Sequence, residues 1–353
     1  MSTYQLPSAL TKFLLAMLVV SVGGCAHEVS GNTYFRLTIP ECESSALLAA
    51  NCPNAQPECL WMADNERDNA LFLIGANIAD TVKPATVALV TADKKPVEVG
   101  DIEALAALPN GQVLAVGSHS LKSSCDTSKK RHSFAVIEPN SGLTTLLTWP
   151  DKFVDCAAAF PTQRPADADA FCAAVDVANE EAKKRRADPS VAASCVDMES
   201  FNIEGAAADQ KGRIWLGLRA PLLDGTGGAR DAVLLRMYAS ADPLLPAPGF
   251  DELIKLDLEG FGVRELSATK DALMIVAGPA LDKNAPFRLY RLLWSELDSG
   301  EKLLKPRKVM DLETSSEGFA LVGKYAFTAR DGDDKNKALC SQHKHISRFL
   351  LPQ

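Results

Sequence analysis

Residues 201–223 read FNIEGAAADQKGRIWLGLRAPLL, and this stretch decides the fold. Two apolar runs flank the polar turn DQKG at 209–212, a pattern that predicts a β-hairpin. Glu204 is the misfit, because an inner strand should be apolar at this point and glutamate is depleted from strands. If the same misfit recurs along the chain, it marks a repeated structural unit.

The pattern does recur. A glutamate precedes an apolar run, a turn follows, and a second apolar run ends in glycine, or in Arg330 in the last copy. Each copy is followed by one or two further strand-like runs, so a complete unit has about four strands. Four-stranded units repeated along a chain are typical of a β-propeller, whose blades are arranged around a central channel. The aligned glutamates are Glu58, Glu103, Glu204, Glu265 and Glu317.

The spacing of these units predicts an all-β propeller with five blades, although one interval is too long by about a blade. The excess, residues 151–200, holds three cysteines and an Ala-rich run at 167–187 that ends in Lys and Arg. These features predict an inserted helical, cysteine-rich segment, and six blades are the alternative if the segment contains strands. The last unit is one strand short. Residues 33–39 (TYFRLTI) would supply that strand and close the ring without an open edge.

The five glutamates share one expected position, because the first strand of each blade of a propeller lines the channel. Carboxylates that converge on one axis repel each other, and unpaired they take raised pKa values. Pairing with cations, accepting backbone N–H groups, or coordinating a hard cation such as Ca²⁺ would each relieve this repulsion. Glu103, Glu204 and Glu317 are the candidate metal ligands. A structural ring and a functional ring are both open at this point.

The ends of the second strands should meet at one mouth of the channel, where loops from several blades converge. His119 and Arg219 lie at the same place in their repeats, two residues after the glycine. The candidates for a catalytic role are therefore His119, Arg219 and Glu204. A small-molecule or protein ligand would bind at this mouth. The predicted binding residues are Ser118, His119, Arg219, Arg264, Arg330 and Asp331.

The first 25 residues have the layout of an export signal. Lys12 precedes the apolar run 13–22, which is too short to span a bilayer, and the run ends in a VGGC motif that resembles a bacterial lipobox. These residues predict a lipoprotein signal peptide at 1–24, acylation of Cys25, a tether at 25–32 and a propeller at 33–353. The lipid anchor would hold the protein at the outer membrane, facing the periplasm.

Charge and cysteine content are consistent with this location. A net charge of −8 argues against a nucleic-acid partner, which would require a basic face. There are nine cysteines, and assigning Cys25 to lipid leaves an even set of eight, which suits disulfides in an oxidising compartment. Local pairing within 42/52/59 and within 156/172/195 would leave one cysteine of each group for Cys125 and Cys340. The sequence fixes no connectivity.

Three segments together resemble a known family: FNIEGAAADQKGRIWLGLRAPLLDG, IEALAALPNGQVLAVGSHS and GVRELSATKDALMIVAGP. They are similar to the bacterial β-propeller family called domain of unknown function 3616, over roughly residues 55–350. That family resembles in turn the propellers named for an esterase-like activity of phytase. The resemblance implies a propeller fold and no established reaction. Ala104 and Ala206 depart from positions that are usually Gly or Leu in the family.

Two functions follow as hypotheses. The first is an envelope lipoprotein whose propeller binds a ligand or partner through the channel mouth. The alternative is a periplasmic metal-assisted hydrolase of the esterase or phosphoesterase type, in which channel carboxylates hold a cation and His119 or Arg219 polarises the substrate. The sequence has no G-x-S-x-G elbow and no H-E-x-x-H motif, so neither an α/β-hydrolase serine nor a zincin site is indicated.

Overall fold

Apolar runs separated by short polar turns form 22 strands in the part of the chain that the structure describes. The structure is a computed structural model that describes residues 33–37, 43–53, 59–75, 81–148, 159–160, 165, 167–188, 194–225, 228–239, 246–281, 285–330 and 346–351. The strands make five sheets, and each sheet is one blade of a propeller. The prediction of five blades is therefore confirmed.

The blades are numbered along the chain by their innermost strands. Blade 1 consists of β2 (Ser44–Ala50), β3 (Cys59–Asp64), β4 (Ala70–Gly75) and β6 (Ala85–Ala88). Blade 2 consists of β7 (Ile102–Ala107), β8 (Val113–Gly117), β9 (Ser133–Ile137) and β10 (Thr144–Thr148). Blade 3 consists of β11 (Asn202–Ala208), β12 (Ile214–Asp224), β13 (Arg230–Ala239) and β14 (Pro246–Leu256), with the short strand β18 (Leu303–Leu304) added in parallel.

Blade 4 consists of β15 (Gly262–Ala268), β16 (Ala272–Gly278), β17 (Phe287–Leu293) and β19 (Arg307–Leu312). Blade 5 consists of β20 (Ser316–Val322), β21 (Tyr325–Arg330), β22 (Ile346–Leu350), β1 (Thr33–Leu37) and the short parallel strand β5 (Thr81–Val82). Within this blade β1 pairs antiparallel with β22, Thr33 opposite Arg348. The ring is thus closed by the first and the last described strands, as the strand predicted at 33–39 requires.

The core is divided into layers between neighbouring blades. Inner strands such as β7 and β15 are buried on both faces, because each blade packs on a blade to either side. This explains why neither strand alternates between apolar and polar residues, although both contain buried charged residues. One layer, between blades 3 and 4, contains Trp215, Leu266 and Tyr290. The five sheets therefore stabilise one another by burying apolar surface face to face.

Helix α1 (Ala168–Ala187) lies in the inserted segment, close to the predicted 167–187. Phe171, Cys172 and Val175 on its inner side join the apolar layer between blades 2 and 3. Lys184, Arg185 and Arg186 are in its last turn, where cations are favoured by the helix dipole. A second, four-residue helix, α2 (Trp294–Leu297), follows β17. Among the described helices, none is long and apolar enough to cross a membrane.

Disulfides reinforce the fold at two described places. Cys52 bonds to Cys59 in blade 1, and Cys125 bonds to Cys195 across a sequence separation of 70. Cys172 of α1 is also disulfide-bonded. The Cys125–Cys195 bond fastens the end of the inserted segment to the long β8–β9 connection of blade 2.

One part of the repeat alignment is wrong. The apolar runs that follow Glu58 form β3 and β4, which are the second and third strands of blade 1, and Glu58 itself lies outside the described residues. The inner strand of this blade is β2, SSALLAA, which contains no glutamate. The alignment on glutamate therefore matched the hairpin of β3 and β4, whereas the equivalent hairpin in the other blades corresponds to β2 and β3.

Candidate functional site

Each inner strand begins with a β-bulge at the same place. The pairing of first and second strands skips one residue in every blade, between Ile203 and Gly205 in blade 3, for example. A bulge leaves the extra residue outside the ladder and re-aims its side chain. The five skipped residues, here called the bulge ring, are Ser45, Glu103, Glu204, Arg264 and Glu317.

Blade 4 places Arg264, and not Glu265, in the bulge ring. The prediction that Glu265 is equivalent to the other glutamates is one residue out, because the bulge falls between Val263 and Glu265. A shift of one residue along a strand moves a side chain to the opposite face. The ring therefore contains three carboxylates and one guanidinium among its members.

Glu265 instead joins three blades. Its Oε1 accepts the backbone N–H of Leu266 in blade 4 (2.8 Å), and its Oε2 accepts that of Leu47 in blade 1 (3.2 Å). The backbone N–H of Phe319 in blade 5 also donates to this carboxylate. The side chain is fully buried, and burial raises the pKa of Glu265 well above 4.5 although the three N–H groups oppose that shift.

Glu204 is the centre of a buried group of charges, called here the ion cluster. Its Oε2 lies 2.8 Å from Nε of Arg264, whose Nη2 also pairs with Glu317. Its Oε1 accepts from Nη1 of Arg219 and from Nδ2 of Asn202, both at 2.9 Å. Since the three ring members come from blades 3, 4 and 5, the ion cluster links these blades around the channel. Charged groups this deeply buried require such partners.

The geometry of the ion cluster tests the prediction that channel glutamates bind a metal ion. Arg264 lies between Glu204 and Glu317, two of the three candidate ligands, and Glu103 is in the bulge ring of blade 2. In the described part of the chain, no three His, Cys, Asp or Glu side chains form a group that could hold a metal ion. The carboxylates as placed therefore do not fit a Ca²⁺ site, and Asp331 lies outside the described residues.

The predicted mouth residues fall into different environments. Arg219 and Arg264 are in the ion cluster. Arg330 pairs with Glu313 at 3.2 Å. Ser118 is buried, and its carbonyl accepts the N–H of Ile203, which connects blade 2 to blade 3. The described contacts thus bring two of these six residues together with Glu204.

His119 faces the interior beneath α1. Its backbone φ is 59°, its Nδ1 lies 2.7 Å from the carbonyl oxygen of Gly117, and its ring packs on His132 and Phe134. Burial is the main cause that lowers the pKa of His119 to about 3. The imidazole is therefore neutral at physiological pH. The repeat places it where Arg219 lies, yet the two side chains have different surroundings.

A cleft of about 580 Å³ adjoins the ion cluster between blades 3 and 4, and sequence reasoning missed it. Arg219 joins the two, because its Nε donates to the carbonyl of Ala280 at 2.9 Å. Close packing of the two blades requires Gly262, since a β-carbon there would lie 2.1 Å from the carbonyl oxygen of Arg219. The apolar lining is Leu222, Phe261, Pro279, Ala280 and Leu281, and the charged lining is Glu199, Arg230 and Glu259.

A second cleft, of about 470 Å³, lies between blades 1 and 2 and has a polar lining. Arg131 and Asp101 form an ion pair in it at 3.2 Å, and burial raises the pKa of Asp101. Lys130 pairs with Asp68 and Glu98. The charged side chains of this second cleft largely pair with one another, and the cleft lacks the apolar wall that ligand sites usually have. The cleft between blades 3 and 4 is therefore the better candidate.

Comparisons with known proteins give a family and a fold. A family model described as "Protein of unknown function (DUF3616)" matches residues 50–322. Among curated proteins no match is found. Similar solved structures include YCF48 from Cyanidioschyzon merolae, with 11% identity, coverage of 83% of this chain and 63% of that chain, and a TM-score of 0.35.

Two further similar structures are covered over nearly their whole length. One is a luciferin-regenerating enzyme, with 8% identity, coverage of 91% of this chain and 95% of that one, and a TM-score of 0.35. The other is the β-propeller domain of Cps50 (Swd1) from Myceliophteria thermophila, with 9% identity, coverage of 91% and 100%, and a TM-score of 0.36. Likenesses this distant carry no argument about function.

Proposed function

The chain belongs to the family described as "Protein of unknown function (DUF3616)", and we propose that it is a ligand-binding propeller of the bacterial cell envelope. The ligand occupies the cleft between blades 3 and 4, beside the mouth of the channel. The cleft has the volume of a small-molecule site, and like such sites it has an apolar wall with a few charged groups.

The observation that carries this proposal is that Arg219 connects the ion cluster to the cleft. Through Nη1 it binds Glu204 of the ion cluster, and through Nε it binds the carbonyl of Ala280 in the wall of the cleft. Glu204 of the bulge ring therefore holds Arg219 in place at the wall of the cleft. Glu204 and Glu317 are in turn held by arginines. A binding site needs such a rigid supporting shell around the groups that contact the ligand.

The described residues give little support to the alternative, a metal-assisted esterase or phosphoesterase. Glu204 lies between two guanidinium groups, so it is poorly placed to act as a general base. His119 is neutral and buried beneath α1, where its ring packs on His132 and Phe134. The carboxylates that were candidate metal ligands do not form a metal-holding group.

The envelope location rests on the N-terminal sequence. The apolar run 13–22 followed by Gly23, Gly24 and Cys25 supports lipidation at Cys25 and anchoring at the outer membrane, facing the periplasm. Disulfide bonds in the propeller suit an oxidising compartment. Cys25→Ser should move the protein from the membrane fraction to the soluble fraction of expressing cells, and continued membrane retention would contradict lipid anchoring.

The binding proposal is tested by filling the cleft. Ala229 is exposed and lines the cleft, so Ala229→Trp should block it, whereas Ala187→Trp makes the same change at an exposed helix end. A fragment library is screened by ligand-observed NMR on the full chain in detergent. Fragments should bind the wild type and Ala187→Trp but not Ala229→Trp. Equal binding to all three proteins would refute the cleft.

The hydrolase alternative needs its own measurement. Wild type is assayed on a panel of ester and phosphoester substrates with and without Ca²⁺. We expect no turnover above that of a matched preparation of Glu204→Gln. Turnover by wild type that is lost in a folded Glu204→Gln protein would replace the binding proposal by the enzymatic one.

A further inference from the structure

We propose that the ligand of this cleft is a small organic anion with an apolar body, and that Arg230 binds its carboxylate, phosphate or sulfate group. This inference rests on the proposed function, because it names the chemistry of the ligand for the same cleft. It follows from which charged group in the lining is accessible, which groups are already committed, and where the apolar wall lies.

Arg230 is the accessible half of the main ion pair in the cleft. Its Nη1 and Nη2 each lie 2.7 Å from one carboxylate oxygen of Glu199. The Arg230 side chain is 42% exposed and the Glu199 side chain 24%. A ligand that enters from solvent therefore meets the guanidinium more readily than the carboxylate.

Arg230 also has donors to spare. Besides the two bonds to Glu199, Nη2 donates to the carbonyl of Leu222 at 2.8 Å. These described bonds use three of the five N–H donors of a guanidinium, which leaves donors for a ligand oxygen. Each oxygen of Glu199 accepts one of these bonds, so the difference between the two partners is that Arg230 is the more exposed. A carboxylate or phosphate is the anion that a guanidinium binds best, singly through one of these remaining donors or bidentately in place of Glu199.

The other negative charge in the lining is neutralised. Glu259 forms an ion pair with Arg288 and accepts from the hydroxyl of Tyr290 at 3.2 Å. The Arg288 guanidinium in turn lies 4.7 Å from the ring centre of Phe261, which is part of the apolar wall. The Glu259 side chain is 52% exposed, but Arg288 already balances its charge, so it attracts a cationic ligand less than an unpaired carboxylate would.

Most of the apolar lining lies on the blade 4 side, although Leu222 belongs to β12 of blade 3. Phe261, Pro279 and Leu281 line the cleft there, across from Arg230 at the start of β13 in blade 3. A ligand that spans the cleft would place its anionic group on blade 3 and its apolar body on blade 4. Glu199 then competes with the ligand for the guanidinium, so removing its charge should strengthen binding.

The test uses three probes that share one apolar body: 3-phenylpropionate, 3-phenylpropylamine and 3-phenyl-1-propanol. Their affinities for the full-length protein are measured by calorimetry in the same buffer. The propionate should bind most tightly. Arg230→Gln should weaken it roughly tenfold or more, the effect of losing hydrogen bonds to a charged group. Glu199→Gln should strengthen it several-fold. Arg291→Gln, at an exposed pair with Asp271 outside the cleft, should change nothing.

The outcomes separate this inference from the proposed function. Tightest binding of the amine, lost in Glu199→Gln, overturns the anion assignment and leaves the cleft intact as a site. Propionate binding that Arg230→Gln leaves unchanged but Ala229→Trp abolishes does the same. Propionate binding that Ala229→Trp also leaves unchanged overturns both. Failure of all three probes to bind at millimolar concentration overturns the anion assignment, and Arg230→Lys, which keeps the charge without the fork, provides a second variant if Arg230→Gln does not fold.

Discussion

Replacing Glu265 by Gln tests how the inner strands are held together. The buried carboxyl group accepts backbone N–H groups from Leu47, Leu266 and Phe319, in three different blades. A glutamine of the same shape keeps one acceptor oxygen and turns an amide N–H₂ toward at least one of these donors. A buried N–H without an acceptor costs about 1–3 kcal/mol. The free energy of unfolding of Glu265→Gln should fall by that amount near pH 5.

The deficit of Glu265→Gln should depend on pH. Burial raises the pKa of Glu265 above 4.5, so above that pH the folded protein retains a proton that the unfolded chain has lost. The stability of the wild type therefore falls as pH rises from 4.5 through the folded-state pKa. Glutamine exchanges no proton in this range. The difference between the two proteins should be largest near pH 5 and shrink as pH rises.

Urea unfolding followed by tryptophan fluorescence at pH 5, 6, 7 and 8 measures both effects. Glu301→Gln, at an exposed glutamate in a loop, is the matched control and should match the wild type within about 0.5 kcal/mol at each pH. A deficit of Glu265→Gln that is the same at every pH would refute the raised pKa. No deficit at all would refute the role of Glu265 in joining the blades.

Three further changes test other parts of the structure. Arg264→Ala should lower the free energy of unfolding by about 3–5 kcal/mol in urea, because it leaves two buried carboxylates without their shared cation, whereas Arg291→Ala at an exposed pair should cost no more than about 1 kcal/mol. Replacing both Cys125 and Cys195 by Ser should lower the free energy of unfolding by about 4 kcal/mol, since their bond closes a loop with a sequence separation of 70. Dithiothreitol should lower the melting temperature of the wild type more than that of the variant, because the variant lacks this bond. His119→Asn should flatten the loss of stability on acidification from pH 6.5 toward 3, because the folded-state pKa of about 3 means that the wild type gains a proton on unfolding in that range; a slope identical to that of the wild type would contradict this.

The number of blades could be predicted because its signals are local. Each hairpin shows an apolar run, a polar turn and a second apolar run within about 20 residues. The closing strand 33–39 was predictable for a related reason, since a count of strands left the last blade one short. The inserted helix was evident from an Ala-rich run without Pro or Gly.

The membership of the bulge ring could not be predicted from the sequence. A bulge is a property of how two strands pair, and no residue type specifies it, so Glu265 was aligned where Arg264 lies. The place of Ser45 in the bulge ring could not be recognised either, because a serine in an apolar strand carries no charge that would mark it. The surroundings of His119 were equally hidden, since they depend on where α1 packs.

The cleft could not be predicted at all, because its walls are far apart in the chain. Glu199 precedes the first strand of blade 3, Arg230 begins its third, and Phe261 lies before blade 4. Each of these residues looks ordinary in its own stretch of sequence. They meet only through the packing of one blade on the next, for which a single sequence contains no direct signal.

The closure of blade 5 has a consequence for how the protein matures. Strand β1 precedes the other described strands in the chain, and its partner β22 follows them. The ring therefore cannot be closed until β22 has been made. A product truncated before residue 346 would keep the edge of β1 unpaired, and unpaired edges invite aggregation and proteolysis. Closure by β22 thus protects the edge of β1 only after every strand between the two has been made.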